Sequence, residues 1–297
     1  MSNAKTRRVT PDGAQYESNT PADLTIRPRD RRFGRGGAQD RWWLNGDPVG
    51  TAFFNALSVT FPKGEAYFIE SVKVFRGGVG EKLAREIKAF TIQEVVHSRE
   101  HVAFNKRVLD HGYDITRLEE RVDQVLEIAR ARPAIVQLAA TMALEHYTAI
   151  LAAQLLRNPR LLAGADAESG EMWRWHALEE IEHKGVAYDT WLHATRRMSR
   201  WQRWKIKSLT MLMITGTFWA HRVEGTLDLM KQDGVTGWRA KWALAKYLLI
   251  SPGLVTRMVP AWISFFLPGF HPWNHDDRAL IGKADSDYEA AVMRAAA

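Results

Sequence analysis

Four separated pieces of the chain carry the same two residue types at helical spacing. They are Glu65, then Glu94-Val95-Val96-His97, then Glu145, then the run from His176 to His183 that contains Glu180. Residues three apart on an α-helix lie about 60° from one another and one turn removed, so each Glu-x-x-His presents both side chains from one face. Two such pairs, each opposed by a lone Glu on a neighbouring helix, supply the ligands of a dinuclear carboxylate site inside a four-helix bundle. The pattern therefore predicts an all-α chain whose long helices hold their carboxylates at one height.

The local signals place helices where that requires them. Asp47-Pro48 reads as an N-cap followed by proline at the first helical position, opening a helix that runs to Arg76 with Pro62 kinking or dividing it. Gly77-Gly78-Val79-Gly80 stops it. A second helix is expected over Glu81 to His111, closed by Gly112, and a short charged connector over Ile115 to Ala131. A third begins near Pro133 and ends before Asn158-Pro159, and the fourth covers Glu168 to Arg196.

Counted along these helices, the carboxylates come out level. Glu65 lies 13 residues before Gly78 and Glu94 lies 16 after it, while Glu145 and Glu180 each lie 12 residues from their shared loop. At about 1.5 Å of rise per residue, antiparallel partners hold these groups at matching heights to within a turn. Glu145 shares its stripe with Leu138, Met142, Ala149 and Ala152, and Glu94 and His97 share theirs with Ile87 and Phe90. Carboxylates on apolar stripes are costly to bury unless paired or bound to metal.

One Glu-x-x-His alone is weak evidence, since 18 Glu and 10 His in 297 residues supply roughly 0.6 by chance. Two on separate helices, each with a level Glu, point to a metal site. His176 lies four residues before Glu180 and seven before His183, which makes it a third imidazole on that stripe. Glu179 competes with Glu180 by angle, and Glu180 is preferred because it completes the spacing; Glu179 and His101 are then expected just outside the ligand shell. Oxygen and imidazole ligands suit iron, with manganese or zinc as alternatives.

Composition narrows the remaining classes. With no cysteine there are no disulfides, thiolate ligands or Cys nucleophile, which fits an intracellular protein. The net charge of +7 brings no folded nucleic-acid motif with it, and eight of the 41 basic residues fall in the first 40 positions. Residues 1–40 are expected to form a basic, largely disordered arm, its first 20 residues unstructured, with Leu24 to Arg27 as an extended segment. No secretory signal opens the chain, so a cytoplasmic location is expected, peripheral at the inner membrane surface if the C-terminal part touches lipid.

Residues 41–198 are expected to form the metal-binding bundle and 199–297 an apolar extension packed on it. Eight of the twelve tryptophans lie between Trp191 and Trp273. The run from Trp201 to Lys207 is basic and aromatic, and the apolar stretch after it is short for a membrane span. This part reads either as extra helices covering the bundle or as a membrane-surface face or roof over an apolar substrate channel. His271 to Asp277 has metal-like composition, but its Pro and Asn favour an irregular loop.

Phe61-Pro62-Lys63-Gly64-Glu65, Gln93 to His97 with His101, His176 to His183 and His271-Pro272-Trp273 together resemble the bacterial proteins labelled predicted metal-dependent hydrolases, over about residues 24 to 280. That likeness implies hydrolysis. The ligand order also resembles the ferritin-like di-iron N-oxygenases that act on arylamines. Carried over residue by residue, it implies a ferritin-like four-helix bundle with additional C-terminal helices, and Glu65, Glu94, His97, Glu145, His176, Glu180 and His183 as ligands. Outside those positions there is no close match, so an arylamine substrate does not transfer.

The leading expectation is a di-iron oxidase or oxygenase, with two Fe ions, an electron donor, and an apolar small molecule or lipid as substrate. The alternative is hydrolysis by a metal-bridged water, and the non-enzymatic one an iron-binding or membrane-surface protein. Nucleic acid is not an expected partner; a homodimer is.

Overall fold

The computed structural model describes residues 16–33 and 40–296. Asp47 caps the first helix by accepting from the backbone N–H of Val49 and Gly50, and Pro48 sits at its first position. The helices are α1 (Pro48–Ser58), α2 (Phe61–Val74), α3 (Glu81–Asp110), α4 (Thr116–Arg130), α5 (Ala134–Arg157), α6 (Ala167–His183), α7 (Val186–Ala194), α8 (Arg200–Gln232), α9 (Gly237–Leu249), α10 (Leu254–Ser264) and α11 (Arg278–Ala296). No strand forms among the described residues, so the chain is all-α.

Helices α2, α3, α5 and α6 make a ring in which each packs on two of the others. These are the four that carry the Glu and His pattern. Pro62 divides the expected first helix into α1 and α2 at Val59-Thr60. The charged connector forms α4, which lies against α2 and α5. Helix α5 is long and apolar enough to cross a membrane by length and composition, but 67% of that stretch is buried. It is the core helix of the bundle.

Two expectations are corrected. The fourth helix does not run unbroken to Arg196: its hydrogen bonding lapses at Lys184-Gly185, and α7 continues beyond. The reason lies far off in sequence. The Trp273 ring presses on this turn, and a Cβ on Gly185 would sit 2.8 Å from its Nε1, while Lys184 places its ammonium over the same ring and bonds Asp277 at 2.6 Å. The second correction concerns the N-terminal arm. Disorder expected for residues 1–15 lies outside the described residues, but residues 16–33 form an ordered, extended strap along α3, α6 and α7. Tyr16 and Asn19 bond Asp189, the backbone N–H of Arg27 and Arg29 donate to Glu182 and Glu179, and Phe33 N donates to Glu100. Ile26 and Phe33 are buried as its apolar anchors.

The C-terminal part forms four helices among the described residues, α8 to α11. Ser199 and Gln202 close a capping box at the start of α8, whose 33 residues run about 50 Å along α1 and α5. Gly225 lets it approach closely, since a Cβ there would lie 3.3 Å from both Ala56 and Leu118. Helix α10 lies beside the first half of α8, joined by Trp204 Nε1–H to Phe266 O and Trp262 Nε1–H to Thr215 Oγ1. Helix α11 packs on α5 and α6.

Candidate metal centre

The seven side chains singled out by spacing converge inside the ring of four helices. Glu65 comes from α2, Glu94 and His97 from α3, Glu145 from α5, and His176, Glu180 and His183 from α6; all are buried. They fall into two groups, Glu65 with His97, His176 and Glu180, and Glu94 with Glu145 and His183. Within each group the ligand-type atoms lie within 4.8 Å of one another. Glu180 joins the two: its Oε1 is 2.8 Å from His176 Nε2, 3.5 Å from His97 Nδ1 and 3.7 Å from His183 Nε2. His183 Nε2 is 3.1 Å from Glu94 Oε1 and 3.4 Å from Glu145 Oε2.

Inward and outward atoms of these residues differ sharply. Glu65 Oε1, both oxygens of Glu94, both of Glu145, Glu180 Oε2, His97 Nδ1 and His183 Nε2 are buried with no hydrogen-bond partner. The outward atoms are satisfied. Ser98 Oγ donates to Glu65 Oε2 at 2.8 Å. With the inward nitrogens kept as lone pairs, as a bound cation would require, His97 Nε2–H donates to Glu179 at 2.9 Å, His183 Nδ1–H to Gln93 Oε1 at 2.9 Å and His176 Nδ1–H to His101 Nε2 at 2.6 Å. Without a cation, a proton links His176 Nε2 to Glu180 Oε1 at 2.8 Å. His101 passes the chain on, its Nδ1–H donating to Ser58 at 2.8 Å and Ser58 to Asn105 at 2.7 Å. Imidazoles fixed by an outer hydrogen bond, with unpartnered lone pairs converging inside, fit a bound cation.

Electrostatics agree with this. Burial first, then the neighbouring carboxylates, drive Glu94 and Glu145 well above the usual carboxylate range, and burial pushes Glu65 up to about 8. Burial opposes ionisation of Glu180 too, but the His183 and His176 imidazoles outweigh it and hold this carboxyl well below its ordinary value. Burial lowers His176 to about 4; for His97 the bonds to Glu179 and Glu180 overcome burial and raise it to about 10.

His101 and Glu179 are each bonded to the outer nitrogen of an inward imidazole. Other members of this layer went unread. Gln93 precedes His97 by four residues and so shares its face, a polar residue at a buried position. Arg29 has no local signal; it reaches Glu179 at 3.3 Å and Glu182 at 2.7 Å from 150 residues away. His146 points away from the centre, towards Ala261 O and the rings of Phe265 and Phe270. His271 bonds Asp189, and among the described residues its segment forms no metal-holding group.

A cavity of about 430 Å³ opens between α2, α4, α5 and α8, with Glu65 on its wall. A gap of about 20 Å³, lined by His176 and Glu180, shares Leu57, Phe61, Thr148 and Phe218 with it. The larger cavity thus reaches the edge of the carboxylate cluster at Glu65. Its size is that of small-molecule sites.

No curated protein and no solved structure matches the chain. A family of predicted metal-dependent hydrolases does, its model covering residues 27–276, which take in the end of the strap, the four-helix ring and the α8–α10 layer. With the buried Glu and His groups at its centre, the chain belongs to the predicted metal-dependent hydrolase family.

Proposed function

We propose that this protein is a dinuclear metal-dependent enzyme acting on an apolar substrate delivered through the cavity between α4 and α8. The observation that carries the reading is the set of unpartnered buried atoms on Glu65, Glu94, His97, Glu145, Glu180 and His183, with the outward atoms of Glu65 and of all three imidazoles engaged. Glu65, His97, His176 and Glu180 would hold one ion, and Glu94, Glu145 and His183 the other. Four carboxylates and two divalent cations sum to zero charge, the condition a buried site needs. The ions would supply Lewis acidity and an acidified water. The chain's own part is to fix three imidazole tautomers, keep bulk water out and present the substrate along Phe61 and Phe218.

Hydrolysis is the reaction the family description supports. A second reading, oxidation with O₂ by two irons and an external electron donor, is favoured by the ligand set, four carboxylates to three imidazoles without a thiolate. The two separate in one assay. The full chain, loaded anaerobically with Fe(II), Mn(II) or Zn(II), is given long-chain acyl esters with and without O₂ and reductant. Ester cleavage in the absence of O₂ supports hydrolysis; O₂ uptake that requires Fe(II) supports oxidation. Metal-independent turnover, or neither activity with any metal, counts against the enzyme reading.

The substrate side also supports a membrane-surface location. Helices α8, α9 and α10 are apolar on their outward faces as well as inward: Leu212, Met213, Ile263 and Leu267 are exposed, and α9 presents Trp238 and Trp242 at 73% and 59% exposure. Residues 190–223 and 234–275 contain no Asp or Glu, whereas Arg239, Lys241 and Lys246 flank the α9 tryptophans. Self-association across this face would set cations against cations; an anionic bilayer complements them. Co-sedimentation with phosphatidylglycerol vesicles, lost in W238A/W242A, supports this docking. Vesicle-free dimers in place of binding would refute it.

A further inference from the structure

One buried cation lines the largely apolar cavity, whose wall also includes Arg117, Arg121, Glu224, Asp228 and Lys231. Arg222 on α8 is buried, and its Nη1 donates to Ala56 O at 2.5 Å and to Thr60 Oγ1 at 3.2 Å. Its Nε has no partner. Among the described residues no carboxylate pairs with it, and burial lowers it to about 10. The nearby Arg121 differs, since Glu224 neutralises it. The carbonyl end of α1 offsets part of the Arg222 charge, as cations at helix C-termini do, and leaves the Nε edge of the guanidinium free. That edge matches a carboxylate, which two parallel N–H groups can grip.

We propose that Arg222 recognises a carboxylate head group, and that the cavity takes a carboxylate with a medium or long alkyl chain, the acid that ester cleavage releases or that oxidation would act on. Leu118, Val122, Phe68 and Leu144 line the same cavity and would pack the alkyl chain. Thr60 precedes Glu65 by five residues, roughly 7.5 Å of helix rise, so a head group held here lies within one chain length of the carboxylate cluster. This assignment rests on the cavity being the substrate's route, and it names the class of molecule that uses it.

The test is calorimetric titration of the full chain, metal-free and metal-loaded, with decanoate and with 1-decanol. The expected result is one decanoate per chain, bound about tenfold or more tighter than the alcohol, in both metal states. In R222M the decanoate affinity falls to that of the alcohol, whose own binding is unchanged. Equal binding of acid and alcohol by the wild-type chain overturns the proposal, and that comparison needs no variant to fold. So does wild-type decanoate affinity in a folded R222M. Because binding is read without turnover, a chain that prefers decanoate yet shows no metal-dependent activity sinks the enzyme reading and leaves the carboxylate site standing.

Discussion

His101 touches no inward atom, yet it sets the tautomer of one that does. It accepts from His176 Nδ1–H and hands its own proton to Ser58, which leaves the inward Nε2 of His176 as a lone pair for a cation that would replace its 2.8 Å bond to Glu180 Oε1. Replacing it with Phe keeps the stacking on Phe61, whose ring lies 4.5 Å away, and removes the acceptor. H101F should therefore bind metal about 10–100-fold more weakly with its helical content unchanged, as isothermal titration and circular dichroism would read. Glu145 predicts the opposite trade. Both its oxygens are buried without partners in the metal-free chain, so E145L should raise metal-free stability by about 1–3 kcal/mol in urea melts while abolishing binding at one group. A destabilised E145L would mean that this carboxylate is paired some other way.

At the scale of elements, the strap of residues 16–33 closes the outer side of α6. Arg29 joins Glu179 and Glu182 on α6 to Asp285 on α11. R29M leaves those buried carboxylates without their cation and should cost about 3 kcal/mol or more; a loss below about 1 kcal/mol would show the strap to be dispensable. The helices themselves were legible because their signals are local: Asp47-Pro48, the glycines after Arg76, and stripes of apolar residues at helical spacing. The seven inward residues were legible for the same reason, since helical geometry forces positions 94 and 97, and 176, 180 and 183, onto common faces. Arg29 was not, because nothing near it in sequence announces Glu179. Nor was the break at Gly185, imposed by Trp273, or the cation at Arg222, whose partners lie on α1 and at the start of α2.

For the whole molecule, the metal-free chain stores an electrostatic penalty that metal relieves. Glu65 titrates at about 8 against an ordinary 4.5, and His97 at about 10 against 6.5. Groups raised on folding contribute stability that is complete below their unfolded values and is lost as pH rises towards the folded ones. The depressed His176, about 4 against 6.5, gains stability only up to about pH 6.5. Between about pH 6.5 and 8 the metal-free melting temperature should therefore fall as pH rises, and metal loading should flatten the slope. An equally flat metal-free profile would contradict the burial of these charges.

All of this depends on the cluster holding metal, and the metal content of the purified full chain tests that directly. Elemental analysis after anaerobic loading and desalting should return about two divalent transition-metal ions per chain, and about one in E94A/E145A, which leaves the Glu65, His97, His176 and Glu180 group intact. A wild-type chain that retains no metal under those conditions would contradict the account, leaving seven buried lone-pair donors without a purpose.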